Sequence, residues 1–148
     1  AYVFGEHGDS SFIPWSVANI SNVPIKECQK LITTPGIKNP ELDFEEIEQY
    51  VRKSGGRVIQ RKGATFYAVS VSVCHICKCL LSGIDTTMTV STMMHGEYGI
   101  DDVCLSTLNM IGLSGIRGKV NISLTDDEIT KLRRSADTLK GVIAQLDI

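Results

Sequence analysis

The stretch from Thr86 to Ile122 does most to restrict the fold. Three runs rich in β-forming residues, Thr86 to Met94, Val103 to Ile111 and Ile116 to Ile122, follow one another across two short connections. Those connections, His95-Gly96-Glu97-Tyr98-Gly99 and Gly112-Leu113-Ser114-Gly115, carry the glycines of tight turns. A parallel pair needs a crossover of roughly a dozen residues or more, so strands joined this closely pair antiparallel, as a meander. A helix follows at once. Thr125-Asp126-Asp127-Glu128 is a capping box, in which the side chains of Thr125 and Glu128 each satisfy a free backbone N–H of the other. Ile129, Leu132, Ala136, Leu139, Val142 or Ile143, and Leu146 then recur at helical spacing, one apolar stripe for the sheet.

Upstream, a first long helix is expected from about Leu42 through Phe44, Ile47, Tyr50 and Val51, with acids at its start and Arg52 and Lys53 later, as the helix dipole favours. Gly55-Gly56 should weaken it, Val58 and Ile59 could resume the stripe, and Gly63 is a stop signal. A second, more buried helix is expected from about Thr65 to Ser82. Ala1 to Gly5 reads as a strand and Phe12 to Ile20 as a mixed apolar segment that breaks at Asn22 to Pro24. Thr33-Thr34-Pro35-Gly36 and Asn39-Pro40 mark a loop-rich stretch. Helices on an antiparallel sheet make an α+β class, an antiparallel β-meander packed with long α-helices. There is no internal repeat or linker, so residues 1–148 form one domain. The opening Ala1-Tyr2-Val3-Phe4 has the look of a strand interior, and the chain is expected to be part of a longer protein.

Composition closes several functional classes. A net charge of −2 gives no field that would gather nucleic acid or an anionic membrane. No apolar run reaches the ~18 residues of a spanning helix, and no secretory signal is present. Five cysteines, an odd number, suggest reduced thiols and a cytoplasmic setting. Cys74, Cys77 and Cys79 crowd around His75, but on a helix Cys74 and Cys77 share a face that Cys79 leaves, and no second ligand pair stands at a zinc-site spacing. Free cysteine is a common small core residue, and no metal is expected.

Two segments carry candidate chemistry. In Gly5-Glu6-His7-Gly8-Asp9-Ser10 a histidine sits at a strand end between glycines, where a ligand can approach closely, and imidazole exchanges protons near neutral pH. The plainer reading is a turn in which Asp9 and Ser10 make local hydrogen bonds. In Lys62-Gly63-Ala64-Thr65-Phe66-Tyr67-Ala68-Val69 the Thr65 hydroxyl could face a small anion at a helix start, or simply cap the helix.

Together they resemble one family. Gly-Glu-His-Gly-Asp-Ser with Pro14-Trp15-Ser16 beyond it is similar to the catalytic-histidine segment of the lactate/malate dehydrogenases. Lys62 to Val69, fifty-eight residues on from His7 to Thr65, is similar to their substrate-pocket segment. Gly96 to Ser106 resembles the later meander, and Leu124 to Glu128 with its helix resembles the terminal helix, so the resemblance runs along the whole chain. It implies the C-terminal substrate domain of an NAD-dependent 2-hydroxy-acid dehydrogenase, without the dinucleotide-binding domain. By the resemblance His7 is the acid/base, paired with an aspartate that lies upstream of Ala1; Asp9 is not the matching position. Thr65 lies beside the small substituent of the keto acid, and Val69 faces the nicotinamide ring. Trp15 is a packing residue, and His75 and His95 are structural.

The glycine-rich dinucleotide loop, the acidic ribose ligand and the substrate-gripping arginines of the family have no counterpart here, so this chain alone is expected to be inactive. NAD is the implied cofactor, a small 2-keto or 2-hydroxy acid the substrate, and a homotetramer the assembly of the whole enzyme. Glu6, Trp15 and Gly63 to Tyr67 look more like the lactate branch than the malate or branched-chain branches. Readings of other classes are a non-catalytic oligomerisation fragment and a thiol sensor built on Cys74, Cys77 and Cys79.

Overall fold

The computed structural model describes residues 1–31 and 41–146. The loop-rich stretch expected around Thr33 to Pro40 falls outside them. Antiparallel strands β3 (Thr86–His95), β4 (Asp101–Gly112) and β5 (Gly115–Lys119) form a sheet in the order β3-β4-β5. The meander is therefore as expected, with the third strand ending at Lys119 rather than Ile122. β3 and β4 pair from Thr86 opposite Ile111 to Met93 opposite Cys104, and the register then slips before His95 meets Asp101. That slip puts Met94 fully inside the core.

The chain's start joins this sheet more sparingly than expected. Instead of a strand over Ala1 to Gly5, only single bridges form, Phe4 with Phe12 and Gly5 with Ser106. Ser106 gives both its backbone groups to Gly5, at 2.9 and 3.0 Å. Its cross-strand partner Ser91 must then be a non-hydrogen-bonded pair, and Gly5 lies on the edge of β4 that β5 occupies further along. After Phe12 come a 3₁₀ turn at Trp15–Val17 and a small hairpin of β1 (Asn19–Ile20) and β2 (Val23–Pro24). Ser21 and Asn22 both take positive φ at the tip of that hairpin, as a type I′ turn requires. Helix α1 (Ile25–Leu31) follows.

Helix α2 (Phe44–Lys62) runs unbroken through Gly55 and Gly56. Asp43 caps its start by accepting the Glu46 N–H, and Gly63 ends it in the left-handed conformation, at φ +82°. Helix α3 (Tyr67–Leu81) corrects the expectation of a buried helix: none of its residues is buried, and Val69, Val71, Val73 and Leu81 are exposed. The composition is that of an interior helix, but among the described residues the main contact of α3 is with β4, along a limited line, and most of its surface is open to solvent. His75, Cys74 and Cys77 are exposed with it. Thr65 precedes the helix rather than opening it, and the N-cap is Phe66, which makes no side-chain cap bond.

Helix α4 (Asp126–Ile143) has both halves of the capping box. Leu132 and Ala136 are buried and Leu139 partly so, but Val142, Ile143 and Leu146 are exposed, so the stripe reaches the core for only part of its length. Its partners are Phe4, Phe12, Met94, Ile100, Val103, Leu105 and Leu108, the apolar centre of the domain. Among the described residues no helix is long and apolar enough to cross a membrane.

Candidate active site

The His7 loop, Gly5 to Ser11, is tied at its neck. Phe4 and Phe12 exchange backbone hydrogen bonds at 2.9 and 3.0 Å, and Gly5 is fixed to Ser106. Gly5 has φ +100°, and a Cβ there would sit 2.6 Å from Ser135 Oγ, so the position requires glycine for both conformation and space. Within the loop the Ser11 hydroxyl donates to the Gly8 carbonyl at 2.8 Å. The Glu6 carboxylate accepts the Ser10 N–H at 3.2 Å and the Ser10 hydroxyl at 2.5 Å. From α4, Ser135 Oγ accepts the Glu6 N–H at 2.8 Å and lies 3.0 Å from Ser10 Oγ.

Helix α2 backs the loop from the other side. The Arg52 guanidinium donates to the carbonyls of Asp9 and Ser11 at 3.3 and 3.4 Å and pairs with Glu48 at 3.3 Å. The buried Glu48 accepts the Ile13 N–H at 3.2 Å. Beyond the loop, Glu128 accepts the Ser16 N–H at 3.0 Å and the Ser16 hydroxyl at 2.5 Å. Burial raises the Glu128 carboxyl's pKa, but the hydrogen bonds from Ser16 and from Thr125 outweigh it and hold the group below its ordinary value. Trp15 rests on Phe44 with ring centres 4.7 Å apart, the packing role expected of it.

His7 itself is exposed and lines a cleft of about 530 Å³ with Val3, Asp9, Val51, Gly55 and Thr89. Thr65 and Val69 do not line that cleft. Thr65 is exposed between α2 and α3, and Val69, 57% exposed, lies on the first turn of α3. Of the residues that hold the loop and the segment after it, Ser135, Arg52 and Glu48 carry no motif of their own, and Glu128 is marked only by the capping box. For Arg52 and Glu48 the visible signal is their four-residue spacing on one helix face. His75 Nε2 lies 3.8 Å from Cys79 Sγ, so Cys79 turns toward the histidine. Among the described residues no three His, Cys, Asp or Glu side chains are grouped to hold a metal.

An antiparallel meander closed by a capped helix, with a pinned loop that presents an exposed imidazole, is the architecture to be compared with known proteins. The chain belongs to the lactate/malate dehydrogenase family: residues 1–147 match its alpha/beta C-terminal domain. It is 36% identical over its whole length to the L-lactate dehydrogenase of Acetivibrio thermocellus, of which it covers 46%. Its fold matches the L-lactate dehydrogenase of Clostridium thermocellum with a TM-score of 0.85 at 33% identity, over 99% of this chain and 46% of that one. Malate dehydrogenase from Archaeoglobus fulgidus, in complex with NADH, matches with a TM-score of 0.80 at 31% identity, over 99% of this chain and 43% of that one. The chain thus spans about half the length of these relatives.

Proposed function

We propose that this chain is the substrate domain of an NAD-dependent L-lactate dehydrogenase, with His7 as its acid/base. The observation that carries the reading is the exposed imidazole held over a cleft on a loop fixed at both ends. The similarity to enzymes named L-lactate dehydrogenase supports the choice of reaction. A nicotinamide, when bound, would supply the hydride to C2 of the keto acid or take it from C2 of the hydroxy acid. The protonated imidazole of His7 donates to the 2-oxygen as pyruvate is reduced, and the neutral ring takes that proton back from L-lactate. Thr65, exposed ahead of α3 and outside the cleft that His7 lines, is assigned to the small substituent of the keto acid by the family resemblance alone.

The fit to a dinucleotide is partial. Val69 offers an exposed apolar side chain that a nicotinamide ring can cover, but α3 opens on the bulky Phe66 and Tyr67, and no glycine-rich turn leads into it. The pyrophosphate and ribose therefore belong to a dinucleotide-binding domain outside this chain, along with the carboxylate clamp. Without them the chain alone does not turn over, because positioning and charge stabilisation are lost together. The whole enzyme is proposed to be a cytoplasmic homotetramer. Malate dehydrogenase is the second reading, favoured by the match to the Archaeoglobus fulgidus enzyme.

The test is nicotinamide absorbance with the full-length protein, comparing pyruvate with oxaloacetate. Pyruvate turnover is expected, with His7→Asn losing at least about 100-fold. Preference for oxaloacetate would move the protein to the malate branch, and an active His7→Asn enzyme would remove the histidine from the mechanism.

A further inference from the structure

We propose that Ser135, on the terminal helix, is the positioning residue for His7, an inference that rests on the acid/base reading above. The loop has firm ties at its neck, from Arg52 at Asp9 and Ser11, and from Ser11 to the Gly8 carbonyl on one side of the imidazole, but these leave Glu6, on the other side, to be fixed by something else. That something is a closed ring of three residues. Ser10 has one hydroxyl proton, and its shortest partner is Glu6 Oε1, at 2.5 Å, a carboxylate oxygen that can only accept. The proton in the 3.0 Å contact between Ser10 Oγ and Ser135 Oγ must then come from Ser135. Ser135 in turn accepts the Glu6 N–H at 2.8 Å, which closes the ring through the Gly5–Glu6 peptide unit, one residue before His7.

Ser135 is wholly buried and pressed against Gly5, whose missing Cβ is what lets α4 come so near. A hydroxyl so enclosed has no water to replace a lost partner, so its geometry is fixed by the ring. Ser135 touches neither substrate nor His7. It sets where the backbone delivers the imidazole, and a displacement of about 1 Å in a reacting group can cost about 100-fold in rate.

The experiment uses the full-length enzyme reducing pyruvate, with wild type, His7→Asn, Ser135→Ala, Ser10→Ala and the Ser10→Ala/Ser135→Ala double variant. Ser135→Ala is expected to lower kcat about 10- to 100-fold, to leave KM for pyruvate within about twofold, and to raise the solvent deuterium isotope effect as proton transfer becomes limiting. Because the ring acts as a unit, the double variant is expected to lose no more than Ser135→Ala alone. A merely structural serine would change the melting temperature without changing the isotope effect, and its loss would add to that of Ser10. If His7→Asn is inactive but Ser135→Ala retains wild-type kcat and isotope effect, the positioning role is wrong. If His7→Asn stays active, the acid/base reading itself has failed. Should Ser135→Ala not fold, Ser10→Ala decides: a raised isotope effect supports the ring, and an unchanged one overturns it.

Discussion

Glu97 shows how much one side chain can hold in a turn. It follows the end of β3, where its carboxylate accepts the His95 N–H at 2.7 Å and pairs with the Lys119 ammonium at 3.0 Å. Lys119, at the end of β5, also donates to the Met93 carbonyl, so the pair ties the two outer strands across the tip of the meander. Burial pushes the carboxyl up, but the backbone hydrogen bond from His95, the hydrogen bond and charge of Lys119 and a bond from its own N–H prevail and bring its pKa down to about 2. The sign follows from that. With a folded value below the ordinary 4.5, the stabilisation is complete above about pH 4.5 and is lost as the pH falls toward 2. The full difference corresponds to ~3 kcal/mol, and the residual solvent contact of the pair trims it to ~1–2 kcal/mol. Glu97→Gln should therefore lower the urea midpoint at pH 7, and the gap to wild type should close by about pH 2. A gap that persists undiminished at that pH would mean that shape rather than charge is what Glu97 supplies.

At the scale of elements, the parts that could be read from the chain are those whose cause is local. The capping box names its own helix, because Thr125 and Glu128 satisfy each other whatever surrounds them. The meander follows from turn length, and the end of α2 from Gly63. The β1–β2 hairpin escaped notice although Ser21-Asn22 is a fair turn signal, because strands of two residues give no alternation to read. Gly55 and Gly56 were read as a weakness, and the helix nevertheless passes through them. A Cβ at Gly56 would meet nothing within 4 Å, and the position is exposed. Gly56→Ala should accordingly stabilise the domain by ~0.5–1 kcal/mol, seen as a rise in melting temperature, since alanine loses less backbone entropy in a helix. No gain would show that α2 already frays at this point. The glycine-flanked segment by itself leaves His7 open between a plain turn and an acid/base, and only the family resemblance along the chain singles it out; Ser135 has no such mark, because a serine in a helix has no signature until the loop beside it is in place.

At the scale of the whole molecule, α3 shows how far an apolar sequence can stand from burial. Its residues, Tyr67 to Leu81, are apolar on nearly every side, a pattern that belongs to a helix covered all round. Burial depends on partners, and sequence alone does not say whether the partner lies in the same stretch of chain. Here Val71 is 70% exposed and Leu81 79%, while Val69, assigned to the nicotinamide, stands among them. Whether a further part of the enzyme covers that surface can be read from the cysteines. Cys74, Cys77 and Cys104 are exposed and Cys28 is buried. In the chain alone a thiol reagent should modify Cys74, Cys77 and Cys104 quickly and Cys28 only on unfolding. In the full-length protein Cys74 and Cys77 should be slowed at least about 10-fold if α3 opens to solvent only by a local fluctuation of ~1.4 kcal/mol or more. Equal rates in both forms would leave α3 a true surface helix. The assignment of Val69 to the cofactor would then lose the enclosure that a nicotinamide contact requires.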